Sequence, residues 1–319
     1  IGAAGMTLVL LAMAVLSDTV QTSDAVRHKV DARLFATIHH EEKNKTLRSR
    51  LKRTKKGLLI SMPATGFYFT EEVEKLASKV NHSAQRNNGK VLLVTSVAEN
   101  EGKSTVAANL ALSLARQGKK VLLIDADLHK ASQYKLFDRK NTPELSRMLA
   151  GAQEMRPEYL EKEQLYAIFS IRACAGAAEL LSSPQMHQLL ADMRTRMDFI
   201  IIDTPPMAMF SDAEMLADQA DLSLLVIRQD CVTAQRINDA VDALNQCAAH
   251  FLGCVFNDVR HLSLPSAGHG YGYGYGYGYG YGRKYGYGYG GYGGYGAYGG
   301  YAKKSDHKTG EAANGRTKA

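Results

Sequence analysis

Cysteine is scarce in this sequence. Four occur among 319 residues, Cys174, Cys231, Cys247 and Cys254, and no two share a CxxC spacing. They sit in or near apolar segments, which implies a reduced compartment. A disulfide pair stays open on paper, although neither the spacing nor a core of this size calls for one. Valine, leucine and isoleucine are missing between Tyr271 and Tyr301, where 13 of the 17 tyrosines are spaced mostly by glycine. Such a window cannot bury a core. Charge is missing from Ile1 to Leu16 (IGAAGMTLVLLAMAVL). A spanning helix takes about 20 apolar residues, and neither a starting Met nor a basic n-region marks a signal peptide. The segment is therefore expected to be the end of a transmembrane helix in a chain that is a fragment, the alternative being a buried helix of a soluble domain. A reading helix, a zinc-ligand set and an aromatic platform in a folded sheet are absent too. Nucleic-acid binding would rest on charge alone and is not expected.

What is present argues against a wholly disordered protein: 45% of residues are hydrophobic and 22% charged, enough for one sizeable core. Lys and Arg number 39 against 32 Asp and Glu, a formal charge of +7. The excess is local, since eight of the fourteen residues from Lys43 to Lys56 are basic. This run reads either as a solvated linker or as a segment lying against anionic lipid heads. Together with Arg27, Lys29 and Arg33 it puts everything after Leu16 on the cytoplasmic side by the positive-inside tendency.

The middle of the chain alternates between two periods. Val91–Thr95 (VLLVT), Val121–Asp125 (VLLID), Phe199–Asp203 (FIIID), Leu222–Ile227 (LSLLVI) and Cys254–Asn257 (CVFN) are short apolar runs, as expected of strands buried on both faces. Ser104–Arg116 has helical periodicity and is followed by Gly118, a candidate C-cap. Further helices are predicted at 71–86, at 184–197 with Ser183 as cap and Pro184 in the first turn, and at 234–250. The stretch 134–178 reads only as a crossover with short helical pieces. Strand, helix and strand within a short span make a right-handed βαβ unit. Continuing the alternation gives the predicted fold class, an α/β, doubly wound, mostly parallel sheet.

Candidate chemistry gathers at strand ends. After the first run comes SVAENEGKST, in which Gly102, Lys103 and Ser104 form the GKS of a phosphate-binding loop. Backbone N–H groups and the new helix's N-terminus would meet phosphate oxygens there, Lys103 would reach the β and γ groups, and Ser104 would ligate magnesium. Val97 stands where the usual pattern has its first glycine. Asp125 ends the second run and opens DAD (Asp125, Ala126, Asp127), and Asp203 ends the third. In an open parallel sheet, ligands sit outside the carboxyl ends of the strands. Three such sites in this order predict a magnesium-nucleotide site rather than isolated helix caps.

These residues resemble a known family, the bacterial tyrosine kinases (BY-kinases) that regulate capsular and exopolysaccharide export. VTSVAENEGKSTVAANLALSLARQGKKVLLIDADLHK is similar to their Walker A and A′ segments, FIIIDTPP to their Walker B, and the tyrosine-rich tail completes the pattern. The resemblance implies a deviant P-loop ATPase fold that uses ATP and magnesium. It places ATP on Glu99, Asn100, Glu101, Gly102, Lys103, Ser104 and Thr105, and the metal on Ser104, Asp127 and Asp203; Asn257, at the end of the last apolar run, reads either as a contact to the base edge or as a turn residue. Lys103, Asp125 and Asp127 are the implied catalytic residues, Asp125 activating the acceptor hydroxyl. Partition and septum-site ATPases, which switch without touching tyrosine, are the alternative; their signature lysine is Ala98 here. Two further departures concern His129, where the family usually has arginine, and Ser78, where the last arginine of a ring-forming motif would follow Glu72 and Lys75.

The organisation expected is 1–16 as the end of a transmembrane helix, 17–66 as a basic linker, 67–265 as the P-loop kinase domain and 266–319 as a disordered tail. The implied phosphoacceptors are Tyr271, Tyr273, Tyr275, Tyr277, Tyr279, Tyr281, Tyr285, Tyr287, Tyr289, Tyr292, Tyr295, Tyr298 and Tyr301. Glycine keeps such a tract extended and mobile, so that tyrosines can be threaded into the site of a neighbouring subunit. The resemblance further implies a ring-like homo-oligomer at the bacterial inner membrane, the polysaccharide polymerisation and export machinery as partner, and a tyrosine phosphatase.

Overall fold

A computed structural model of the chain describes residues 6, 18–42, 57–139 and 141–260. The rest of the apolar N-terminal segment, the basic run 43–56 and the tyrosine tail lie outside these residues. Among the described residues no helix is long and apolar enough to cross a membrane. All the described elements belong to one unit, Ile1–Leu264.

The chain runs α1 (Ser23–Lys29), β1 (Leu34–His39), α2 (Phe67–Asn87), β2 (Val91–Ser96), α3 (Lys103–Arg116), β3 (Val121–Asp125), α4 (Gln133–Leu136), α5 (Leu145–Leu149), β4 (Glu158–Leu160), β5 (Leu165–Ile168), α6 (Ala177–Leu181), α7 (Pro184–Arg196), β6 (Phe199–Asp203), α8 (Asp212–Ala217), β7 (Leu222–Arg228), α9 (Ala234–Gln246) and β8 (His250–Val259). Eight strands form one sheet in the order β1-β8-β7-β2-β6-β3-β5-β4. Neighbours are parallel except for β4 and β5, which form an antiparallel edge.

The continuous apolar runs are explained by two-sided burial. Leu92 and Val94, Val121 and Leu123, and Ile201 enter the core beneath α2 and α3. Val91 and Leu93, Leu122 and Ile124, and Ile200 and Ile202 enter the opposite core, against α6, α7, α8 and α9. Side chains alternate across a strand, so a strand covered on both faces needs no polar period. Each such aliphatic side chain adds about 1.5–3 kcal/mol of transfer free energy. Helix α2 keeps the one-sided pattern, burying Phe69, Val73, Leu76, Ala77, Val80 and Ala84. Helix α3, held between α2 and the sheet, buries Val106 through Ala115 without a break. Ser183 caps α7 by accepting from the Met186 N–H, with Pro184 in the first turn.

The structure departs from the sequence reading at the edges. Helix α9 ends at Gln246 rather than at His250, because the Cys247 cap is extended and Ala249 and His250 donate to the carbonyls of Ala217 and Asp221. Residues 34–39, inside the stretch expected to be linker, pair in parallel with β8 as an edge strand. Only Phe35 and Ile38 of that strand are buried, too sparse a pattern to stand out beside a basic run. The crossover 134–178 contains β4 and β5 as well as short helices.

Candidate functional site

The parallel order brings the ends of β2, β3 and β6 side by side. Asp125 of β3 lies directly opposite Asp203 of β6 in register, and both are fully buried. Between β2 and α3, the loop 97–102 takes left-handed backbone at Asn100 (φ 64°) and Gly102 (φ 94°). A Cβ on Gly102 would stand 2.1 Å from Asn257 Nδ2, so glycine alone lets β8 close against the loop. Asn257 Nδ2 donates to the Glu101 carbonyl oxygen at 2.8 Å.

Lys103, the first residue of α3, is the charge around which the site is built. Its Nζ donates to Asp127 Oδ2 at 2.9 Å, to Ser104 Oγ at 3.2 Å and to Asp203 Oδ1 at 3.5 Å. Burial works against the ammonium, but the carboxylates of Asp203 and Asp127 outweigh it and its pKa is pushed up to about 12. Asp127 shows the reverse balance: burial would raise it, yet Lys103 and backbone N–H donors hold it below the usual carboxylate range. Burial drives Asp125 well above that range, with the charge of Asp203 adding to the effect. Burial also raises Asp203, against the pull of Lys103.

A cavity of about 1050 Å³ opens over this cluster. Of the sequence-predicted residues, Glu99, Asn100, Gly102, Lys103, Ser104, Thr105, Asp127 and Asn257 line it. Asp203 and Glu101 lie behind the wall. Asp125, expected to activate the acceptor, lies there as well. Its carboxylate accepts from the backbone N–H of Asp127 at 3.3 Å, Ser132 at 3.3 Å and Gln133 at 3.0 Å. That arrangement makes it the brace of the turn that presents Asp127. Glu101 turns inward and accepts from the N–H of Ala98 at 2.6 Å and of Arg228 at 3.3 Å; burial pushes its pKa up to about 7. Glu72, the candidate start of an interface motif, accepts from the His39 N–H at 2.8 Å and ties α2 to β1. The thirteen tail tyrosines lie outside the described residues.

Sequence reasoning missed several contributors. Gln133 Nε2 donates to Asp203 Oδ2 at 2.8 Å and to the Ser104 carbonyl at 2.9 Å, clamping the Walker B acid to the start of α3. No motif marks it, because its partners come from α3 and β6. Arg228 joins the loop to β8 by donating to Asp258 at 2.8 Å from Nε. His129, seen only as a departure from arginine, bonds Asp212 Oδ2 at 2.8 Å and stacks on Phe210. Lys130 pairs with Glu99 across the mouth.

Comparison with known proteins gives the following. The family model for ParA-type proteins, described as NUBPL iron-transfer P-loop NTPase, matches residues 87–279. The tyrosine-protein kinase YwqD of Bacillus subtilis is 35% identical over 190 residues, covering 59% of this chain and 80% of YwqD. The tyrosine-protein kinase ptk of Acinetobacter johnsonii is 27% identical over 259 residues, covering 81% of this chain but only 35% of ptk. The solved kinase domain of the Escherichia coli tyrosine kinase ETK matches with a TM-score of 0.69 at 27% identity, over 80% of this chain and 100% of that domain.

Proposed function

The chain belongs to the bacterial tyrosine-protein kinases, within the ParA-type P-loop NTPases, and from that membership we propose that it transfers the γ-phosphoryl group of ATP to tyrosines in the Gly-Tyr tract of a neighbouring copy. The observation that carries this reading is the Lys103 ammonium held among Ser104, Asp127 and Asp203 at one wall of a cavity large enough for a nucleotide and an acceptor.

The oxygens of Ser104, Asp127 and Asp203 already surround one cation, Lys103 Nζ, and this hard-oxygen set fits magnesium, which takes one or two carboxylates and completes its shell with phosphate and water. When bound, the metal neutralises charge on the phosphates. The protein's own part is positioning. The loop 97–102 and the N-terminus of α3 hold the phosphates, and Lys103 balances the charge that develops on the leaving oxygen. A tyrosine hydroxyl, with a pKa near 10, is neutral at neutral pH and gives up its proton as it reacts. Asp127, the carboxylate on the cavity wall, orients that hydroxyl by accepting its hydrogen bond, and the proton passes to solvent water as the hydroxyl reacts, while Asp125 and Gln133 hold Asp127 and Asp203 in place. The tyrosine oxygen forms a bond to the γ-phosphorus, the bond from that phosphorus to the β,γ-bridging oxygen breaks, and ADP leaves. By the family resemblance, the added negative charge loosens a ring of subunits and couples tail phosphorylation to polysaccharide assembly or export at the inner membrane.

The test incubates the full chain with magnesium and ATP and maps phosphotyrosine by mass spectrometry, beside Lys103→Met and Asp127→Asn chains. Tail phosphotyrosine in the wild type, reduced ~100-fold in both variants, is the expected result. ATP hydrolysis with bare tyrosines would replace this reading with that of a partition-type switch.

A further inference from the structure

The cavity wall beyond Asp127 carries two aromatic rings that phosphoryl transfer by itself does not need. His129 follows Asp127 by two positions, and its ring stacks on Phe210 with centroids 3.6 Å apart and planes 9° from parallel. The Nε2 of His129 lies 2.8 Å from Asp212 Oδ2, and Asp212 is buried. Turning the imidazole away would strand that carboxylate, so the ring pair is held in one orientation. Both rings line the same cavity as Lys103 and Asp127, with Pro206 beside them. Stacking uses one face of each ring, so the pair meets the cavity with its outer face and edges, held rigid by the bond to Asp212, and such a ring face favours a planar partner.

The nucleotide base does not fill that role. Lys103 and Asp127 mark the γ-phosphoryl end of the site, and the His129 ring belongs to the turn that carries Asp127. Asn257, the candidate for the base edge, sits instead against Gly102 and the Glu101 carbonyl. We infer that His129 and Phe210 form the platform that receives the acceptor's aromatic ring, and that this pair selects a phenol over the aliphatic hydroxyls of serine and threonine. The inference rests on the kinase reading above and names the acceptor site within it.

The experiment uses the full chain with magnesium and ATP, and a synthetic peptide of residues 270–282 as acceptor beside its Tyr-to-Ser counterpart. Initial rates are measured for wild type, His129→Gln, Phe210→Leu and Phe210→Tyr, and ATP affinity is measured in parallel. His129→Gln and Phe210→Leu are expected to raise KM for the tyrosine peptide roughly tenfold, to change kcat far less, and to narrow the preference over the serine peptide. Phe210→Tyr, which keeps the ring, restores KM. Should His129→Gln fail to fold, Phe210→Leu leaves the His129–Asp212 bond in place and decides the matter. An unchanged KM overturns the platform while leaving the kinase reading intact. A loss of ATP affinity as large as the rise in KM also overturns it, by placing the base on the rings. A wild-type chain that phosphorylates no tyrosine removes the kinase reading and this inference with it.

Discussion

Glu101 is 1% exposed although it belongs to a loop that faces a large cavity. Its carboxyl meets backbone N–H donors, those of Ala98 and Arg228 among them, and among the described residues no cation at bonding distance, so burial outweighs these donors and the charge of Arg228 and its pKa reaches about 7. The folded state then binds this proton more tightly than the unfolded chain. The resulting stability is fully present below pH 4.5 and is lost as pH rises to about 7. The loss across that window is about 3 kcal/mol. Urea denaturation of wild type and Glu101→Gln at pH 5 and pH 7.5 is the check. The wild type should lose stability between the two pH values by a margin that the variant lacks, whatever the variant's absolute stability. Parallel slopes would mean that Glu101 is not the titrating group. The sequence showed Glu101 only as a phosphate-loop residue, since its burial depends on Arg228 of β7 and Asn257 of β8 closing over it.

At the scale of elements, the central strands β2, β3, β6 and β7 were legible because burial on both faces makes them unbroken apolar runs. The edge strand β1 was not, because its hydrogen-bonded partner lies more than two hundred residues away and its residues are half-buried. The joint between β1 and β8 depends on Gly253. Its φ is 126°, and a Cβ there would stand 2.3 Å from the Arg33 carbonyl oxygen, which accepts from the Cys254 N–H at 2.8 Å. Gly253→Ala is therefore expected to cost about 1–3 kcal/mol by pushing β1 off the sheet, seen as a lower melting temperature and faster amide exchange in 34–39. Unaltered exchange there would show that the edge absorbs the methyl group.

At the scale of the whole molecule, residues 266–319 contain no valine, leucine or isoleucine, so by composition they are not expected to add to the hydrophobic core of the folded unit. Removing them should leave the melting temperature unchanged in a calorimetric scan while abolishing most incorporation of phosphate. A lower melting temperature would show that the tail contributes to folding, and retained incorporation would move the acceptor into the folded unit. The sequence by itself determined the α/β class, the phosphate loop and the two strand-end acids, Asp125 and Asp203, because two-sided burial and phosphate binding write local patterns into short stretches of chain. It also set out the tyrosine tract, by composition alone. Only the tertiary structure decided that Asp125 braces from behind while Asp127 faces the cavity, that Gln133 clamps Asp203, and that His129 is stacked and held by Phe210 and Asp212. Each of those roles depends on which side chains from distant segments meet around a buried charge. The order in which strands cross to form the sheet sets those meetings, and no local pattern carries that order.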